Sequence, residues 1–193
     1  MKMKRFLALT LTFLLPLALA ACGGQDGGSA SSGGAAPQDI YPEDGYGEGR
    51  IGDLVHSYFM DFTVNSAYTT SDYHGHTAPE GRNVLVVEMT IRNTSTASLP
   101  MYDDDFQAHW TAGEESNDFA WPITEGEDYA GLDTVAEEQL PAQYELAVDE
   151  SRTGVLVFDV PRDEKDFSIS HRELFDDGAE GDTFFVYFTA TKK

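Results

Sequence analysis

The apolar residues of this chain recur at every second position in short blocks, the spacing of strands with one buried face. Met60, Phe62 and Val64 fall on one side of such a block, with Asp61, Thr63 and Asn65 on the other. Leu85, Val87, Met89 and Ile91 form a second apolar face, backed by Val84, Val86, Glu88, Thr90 and Arg92. Leu156, Phe158 and Val160 form a third, closed by Pro161, which has no N–H to continue a ladder. Phe184, Val186 and Phe188 form a fourth. Shorter runs over 98–102, 106–111, 119–123, 144–148 and 167–170 predict further strands. Turn-forming residues separate them: Asn93-Thr94-Ser95, Gly113-Glu114-Glu115 and Asp176-Asp177-Gly178. No long stretch keeps a 3.6-residue period, and Val135 to Leu140 has room for one helical turn before Pro141. Many short strands spaced by turns predict an all-β domain, a two-sheet antiparallel sandwich with the apolar faces turned inward.

The pattern fails before residue 51. Residues 23–50 are Gly, Ser, Ala and acids with few large apolar side chains, a composition that predicts a disordered tether. Ahead of it, Lys2, Lys4 and Arg5 precede a run from Phe6 to Leu19 interrupted only by Thr10, Thr12 and Pro16. This is the layout of a secretory signal peptide, and it is too short to span a bilayer, which needs about 20 apolar residues. Leu19-Ala20-Ala21-Cys22 resembles a bacterial lipobox. The expectation is removal of residues 1–21, lipid on the thiol of Cys22, a tether over 22–50 and a sandwich over 51–193. The protein then sits lipid-anchored on the extracytoplasmic face of the cell membrane. A Gly-rich coil of this length has an end-to-end distance of roughly 30 Å, well beyond a Debye length of about 8 Å. Cys22 is the only cysteine, so the domain has no internal disulfide and no free thiol nucleophile.

At 193 residues and 41% hydrophobic, the chain has material for one ordinary domain with a packed core. Its 34 Asp+Glu outweigh 12 Lys+Arg, a net of −22. Three of the cations fall within residues 1–21 and no acid does, so from Cys22 onward the balance is 9 − 34 = −25. Such a surface repels phosphate backbones and anionic headgroups, which excludes nucleic acid as a partner. Cationic peptides, basic proteins and metal ions remain compatible with it, and solubility alone is the simplest reading.

Three blocks taken in order resemble a known family. Ile51-Gly52-Asp53 leads to Phe62-Thr63-Val64-Asn65-Ser66. Asn83 through Thr94 reads as a long valine-rich strand ending in Asn93-Thr94. Leu140-Pro141-Ala142 precedes Gly154-Val155-Leu156-Val157-Phe158-Asp159-Val160-Pro161, a G-x-L-V-F-x-V-P strand. The chain is similar here, over roughly 51–191, to a domain of unknown function found in bacterial lipoproteins and grouped with a secreted mycobacterial immunoprotective antigen. The resemblance implies an immunoglobulin-like β-sandwich. The family's usual Pro-Gly before the G-x-L-V-F strand is replaced by Val148-Asp149-Glu150. The resemblance carries no catalytic residues.

Candidate chemistry is sparse. His74 and His76, at i and i+2, would face the same way on a strand and could share a zinc or copper ion, given further ligands. Gly75, Pro79 and Gly81 instead mark a loop. Asp103-Asp104-Asp105 and the acidic stretch 176–182 invite calcium, yet neither has the alternate spacing of a calcium loop, and Asp and Gly also build ordinary turns. The sequence holds no Gly-x-Ser-x-Gly, no His-Glu-x-x-His and no Gly-rich loop before a helix. His56, His109 and His171 are isolated. Trp110 and Trp121 flank a turn-rich hairpin, followed by Tyr129 and Tyr144. Exposed together they make an anchor patch for a protein, peptide or glycan; buried, they are core. Tyr41 and Tyr46 in the tether are further docking points or the approach to the first strand. Asn93-Thr94-Ser95 matches a glycosylation sequon without consequence in a bacterial lipoprotein. The residues therefore point to a non-enzymatic extracytoplasmic binding module without a cofactor, with an envelope protein responsive to calcium, zinc or copper as the alternative.

Overall fold

The computed structural model describes residues 36–110, 118–127, 130–175 and 177–193. The signal segment and Cys22 lie outside them, as do 113–115, Tyr129 and Asp176.

Among the described residues thirteen strands follow in order: β1 (Asp39–Ile40), β2 (Tyr46–Arg50), β3 (Leu54–His56), β4 (Met60–Thr70), β5 (Arg82–Asn93), β6 (Leu99–Tyr102), β7 (Gln107–Trp110), β8 (Phe119–Ala120), β9 (Gln143–Leu146), β10 (Ser151–Pro161), β11 (Asp166–Leu174), β12 (Glu180–Thr189) and β13 (Thr191–Lys192). One sheet runs β1-β3-β4-β5-β10, with β13 added beside β4. The other runs β2-β12-β11-β7-β8, and β6 pairs with β9 in a separate ribbon. The two larger sheets form a β-sandwich.

The four alternating blocks are the inner faces. Phe62, Val64, Val87, Met89, Ile91, Leu156, Phe158 and Val160 from the first sheet meet Ala108, Trp110, Phe167, Ile169, Phe184 and Val186 from the second in one buried cluster. Area removed from water at about 25 cal/mol per Å² is the main stabilising term. Phe62, Phe106, Phe158 and Phe184 are the largest fully buried side chains.

Three expectations change. The tether is expected to reach Arg50, but Asp39–Ile40 and Tyr46–Arg50 are strands, and the compact unit begins at Ala36. Alternating Gly47 and Gly49 make this possible. A Cβ on Gly47 would come within 2.5 Å of Phe184, so only glycine lets β2 lie over that ring. The sheets are also not wholly antiparallel: β2 joins β12, β1 joins β3 and β13 joins β4 in parallel. Residues 135–140 are turn and bridge rather than helix, because Gln139 pairs with Val155 and Leu140 N–H donates to the Val155 carbonyl at 2.9 Å.

Candidate functional site: the open face of the second sheet

The outer faces of the two sheets differ. On the first, Tyr73, Val84, Val86 and Val157 form a second buried cluster under Ala78, Ile123 and Ala136. The segments carrying Ile123 and Ala136 are tied to β10 by bridges from Pro122 to Phe158 and from Gln139 to Val155. This explains why Val84 and Val86, on the reverse of β5, are apolar. Beyond that cover the face is a polar ladder, in which Asn65 Nδ2 donates to Thr90 Oγ1 and Thr90 meets Thr153, both at 2.9 Å.

No described segment forms such a cluster over the second sheet. Its register sets side chains there in a grid. One row across the strands is Phe119, His109, Ser168, Tyr187 and Arg50. The next is Gln107, Ser170, Phe185 and Glu48. The small serines of β11 thus form the floor of a trough, with His109 and Phe119 on one bank and Phe185 and Tyr187 on the other. Rings link across it: Trp121 to Phe119 at 5.6 Å, Phe119 to His109 at 5.9 Å, His109 to Phe185 at 5.9 Å and Phe185 to Tyr187 at 6.0 Å. The His109–Phe185 contact makes a saddle. On one side lies a cavity of about 550 Å³ reaching Glu164 and Asp166, and on the other one of about 330 Å³ reaching Asp104, Asp105 and Glu180. Phe119, Trp121 and Phe185 are half-buried and Tyr187 is 46% exposed.

A serine–histidine pair does occur here, with His109 Nε2 2.9 Å from Ser170 Oγ. Burial lowers the His109 pKa, keeping the ring neutral at pH 7. Ser170 lies in a strand paired on both edges, so the N–H groups around it belong to the ladder and offer no oxyanion hole. The pair is a cross-strand hydrogen bond of the trough floor. Tyr187 is raised by burial and by Glu48 beside it. At the far end, burial pushes Asp105 up to about 7, although its carboxylate accepts from the Tyr102 N–H at 2.8 Å. Behind it, His171 is held down to about 4 by burial, and its Nδ1 bonds the Asp105 carbonyl at 3.0 Å.

The residues singled out from sequence fall apart in space. Trp110 is core, 9% exposed, whereas Trp121 stands half-buried at the edge of the trough, so the two do not form one exposed patch. His74 and His76 are not strand neighbours. Tyr73 pairs with His76 around a tight turn in which His74 (φ 51°) and Gly75 (φ 90°) take the left-handed conformation. His74 meets Glu138 at 3.1 Å and His76 meets Asp159 at 2.9 Å, so each ring is turned to a different carboxylate. Asp103–Asp105 is a single 3-10 turn. Among the described residues, no three His, Cys, Asp or Glu side chains converge as a metal site. His56 bonds Asp61 at 2.7 Å and stacks on Tyr41. Sequence reasoning missed Phe119, Phe185 and Tyr187 as surface residues. The available signal was the reverse face of the fourth block, where positions 185 and 187 are aromatic although polar side chains are expected.

Residues 49–180 match the profile of a family described as a domain of unknown function, DUF4352. The chain belongs to the DUF4352 family. Among solved structures, a candidate lipoprotein of Bacillus subtilis, ycdA, is 16% identical with a TM-score of 0.51, covering 71% of this chain and 38% of its own. This chain thus spans about two fifths of that protein's length. An uncharacterised β-sandwich protein of Clostridium difficile is 19% identical over 74% of this chain and 93% of its own, TM-score 0.44. The yjhA protein of Bacillus subtilis is 16% identical over 75% and 99%, TM-score 0.49. No curated protein matches. The DUF4352 match covers all of β3 to β11, including the whole trough floor.

Proposed function

We propose that this DUF4352 protein is a non-enzymatic binding module, tethered to the outer face of the cell membrane by a lipid on Cys22, whose ligand surface is the open face of the second sheet. The observation that carries the reading is the aromatic-walled, serine-floored trough on that face, while the outer face of the first sheet is partly covered by the protein's own loops. Apolar rings left half-exposed in a row mark interaction surfaces. The lipobox-like Leu19-Ala20-Ala21-Cys22 supports the anchor. An immunoglobulin-like kinship with the secreted mycobacterial antigen belongs to the same proposal, supported by the three motif blocks and the sandwich.

The test is site-specific photo-cross-linking in intact cells. A photoreactive phenylalanine replacing Phe185 should capture a discrete partner, and the same group at Thr153, on the outer face of the first sheet, should not. Equal capture from both positions, or none from Phe185, contradicts the reading.

A further inference from the structure

We propose that the trough along β11 receives an extended peptide carrying Lys or Arg near both ends, an inference that rests on the reading of this face as the ligand surface. The shape fits a strand-like occupant. Ser168 and Ser170 replace large side chains between two aromatic banks, Ser168 lining the cavity on one side of the His109–Phe185 contact and Ser170 the cavity on the other. From Asp166 to Arg172 the floor runs seven residues, about 20 Å over its six steps of roughly 3.4 Å.

The charge fits a basic one. Carboxylates stand at both ends, Glu164 and Asp166 at one and Asp104 and Glu180 at the other. Arg172, at the second end, is matched by Glu180 at 3.2 Å; at the first, Lys165 lies 3.9 Å from Asp166 and Arg50 lines the margin, with Glu164 paired to neither in an ion pair. From Cys22 onward the protein has 34 acids against 9 cations, and Arg92, Arg152, Lys165 and Arg172 already meet carboxylates. The surface is short of positive charge, and an incoming Lys or Arg meets both carboxylates and ring faces. The same chemistry recurs inside the protein: Lys193 lies 3.5 Å over Tyr68, Arg152 4.7 Å over Tyr144 and Arg82 5.8 Å over Trp110. A neutral glycan gains the rings but nothing from the carboxylates.

The probe is a peptide of alternating Thr and Val with two Lys at each end, against a counterpart with Glu at the ends. Binding to the full-length protein in detergent is read from tryptophan fluorescence, since Trp121 lines one end of the trough. The Lys peptide should bind, weaken with added salt, and lose about five-fold in affinity in Phe185→Ala or Tyr187→Ala, the scale of one cation–π contact. Glu164→Gln with Asp166→Asn keeps the local hydrogen-bond acceptors and should also weaken it and flatten the salt dependence. Unchanged melting curves certify each variant as folded. Equal binding of the Glu peptide, no binding of the Lys peptide, or indifference to all three variants overturns the inference. If a neutral oligosaccharide binds in a Phe185-dependent way and the Lys peptide does not, the peptide is wrong and the ligand face stands. If cross-linking from Phe185 fails as well, the face itself is wrong.

Discussion

Asn93 shows how a single side chain joins parts of the molecule. It is fully buried at the end of β5, and its Nδ2 lies 2.8, 3.0 and 3.2 Å from the carbonyls of Ala97, Leu146 and Ala147. Its Oδ1 accepts from Ser95 N–H and Oγ. The asparagine of the sequon is therefore buried and is not a surface acceptor. Asn93→Ala strands several buried polar groups and should cost about 2–4 kcal/mol in urea unfolding. Asp105 and His171 make the pH dependence. The folded pKa of Asp105, about 7, exceeds its ordinary 3.8, so its stabilising effect is full below pH 3.8 and is lost as pH rises through 7. His171, about 4 against an ordinary 6.5, acts the opposite way: its effect is present above pH 6.5 and lost as pH falls toward 4. Asp105→Asn should therefore gain stability over the parent at pH 8, on the order of 1–2 kcal/mol, and little at pH 4. Denaturant midpoints at the two pH values check the sign.

At the scale of elements, β4 carries the clearest irregularity. Its register against β5 shifts between Val64 and Ser66, so Asn65 is an extra residue, and the buried positions step from Val64 to Ala67. Deleting Asn65 leaves a regular ladder and the same inward residues, and the variant should still melt cooperatively. An alanine inserted after Val87 moves Met89 and Ile91 to the wrong face, and the cooperative transition should vanish. Gly154, the glycine of the G-x-L-V-F strand, is explained by crowding. A Cβ there would come within 2.7 Å of Leu140 and 2.9 Å of the Glu138 carbonyl, where residues 138–140 run parallel beside β10. Gly154→Val should cost about 1–3 kcal/mol through overpacking. The four long strands were legible in the sequence because alternate burial leaves alternate apolarity. β1, β2 and the segment at 139 that pairs with β10 were not. Their hold on the sheet comes from backbone bonds and glycine, which leave no apolar period.

Across the whole molecule, the sequence announces the inward faces and hides the outward ones. Val84 and Val86 read as the reverse of a strand but lie under the protein's own loops. Phe185 and Tyr187 read as the reverse of another and stand on the trough bank. What separates the two cases is long-range: Ile123 and Ala136, far along the chain, pack over the first sheet's outer face. The two tryptophans, left open as patch or core, divide: Trp110 joins the core on β7, and Trp121, past β8, meets Phe119 at the trough. The excess of acids keeps its meaning only when placed, at both ends of a 20 Å floor. The most direct measurement is amide NMR mapping of the protein titrated with the Lys-ended peptide. Shifts should gather on β11 and β12, at Ser168, Ser170, Phe185 and Tyr187, and spare Thr90 and Thr153 across the sandwich. Shifts centred on the first sheet, or none on β11 at saturating peptide, would contradict the account.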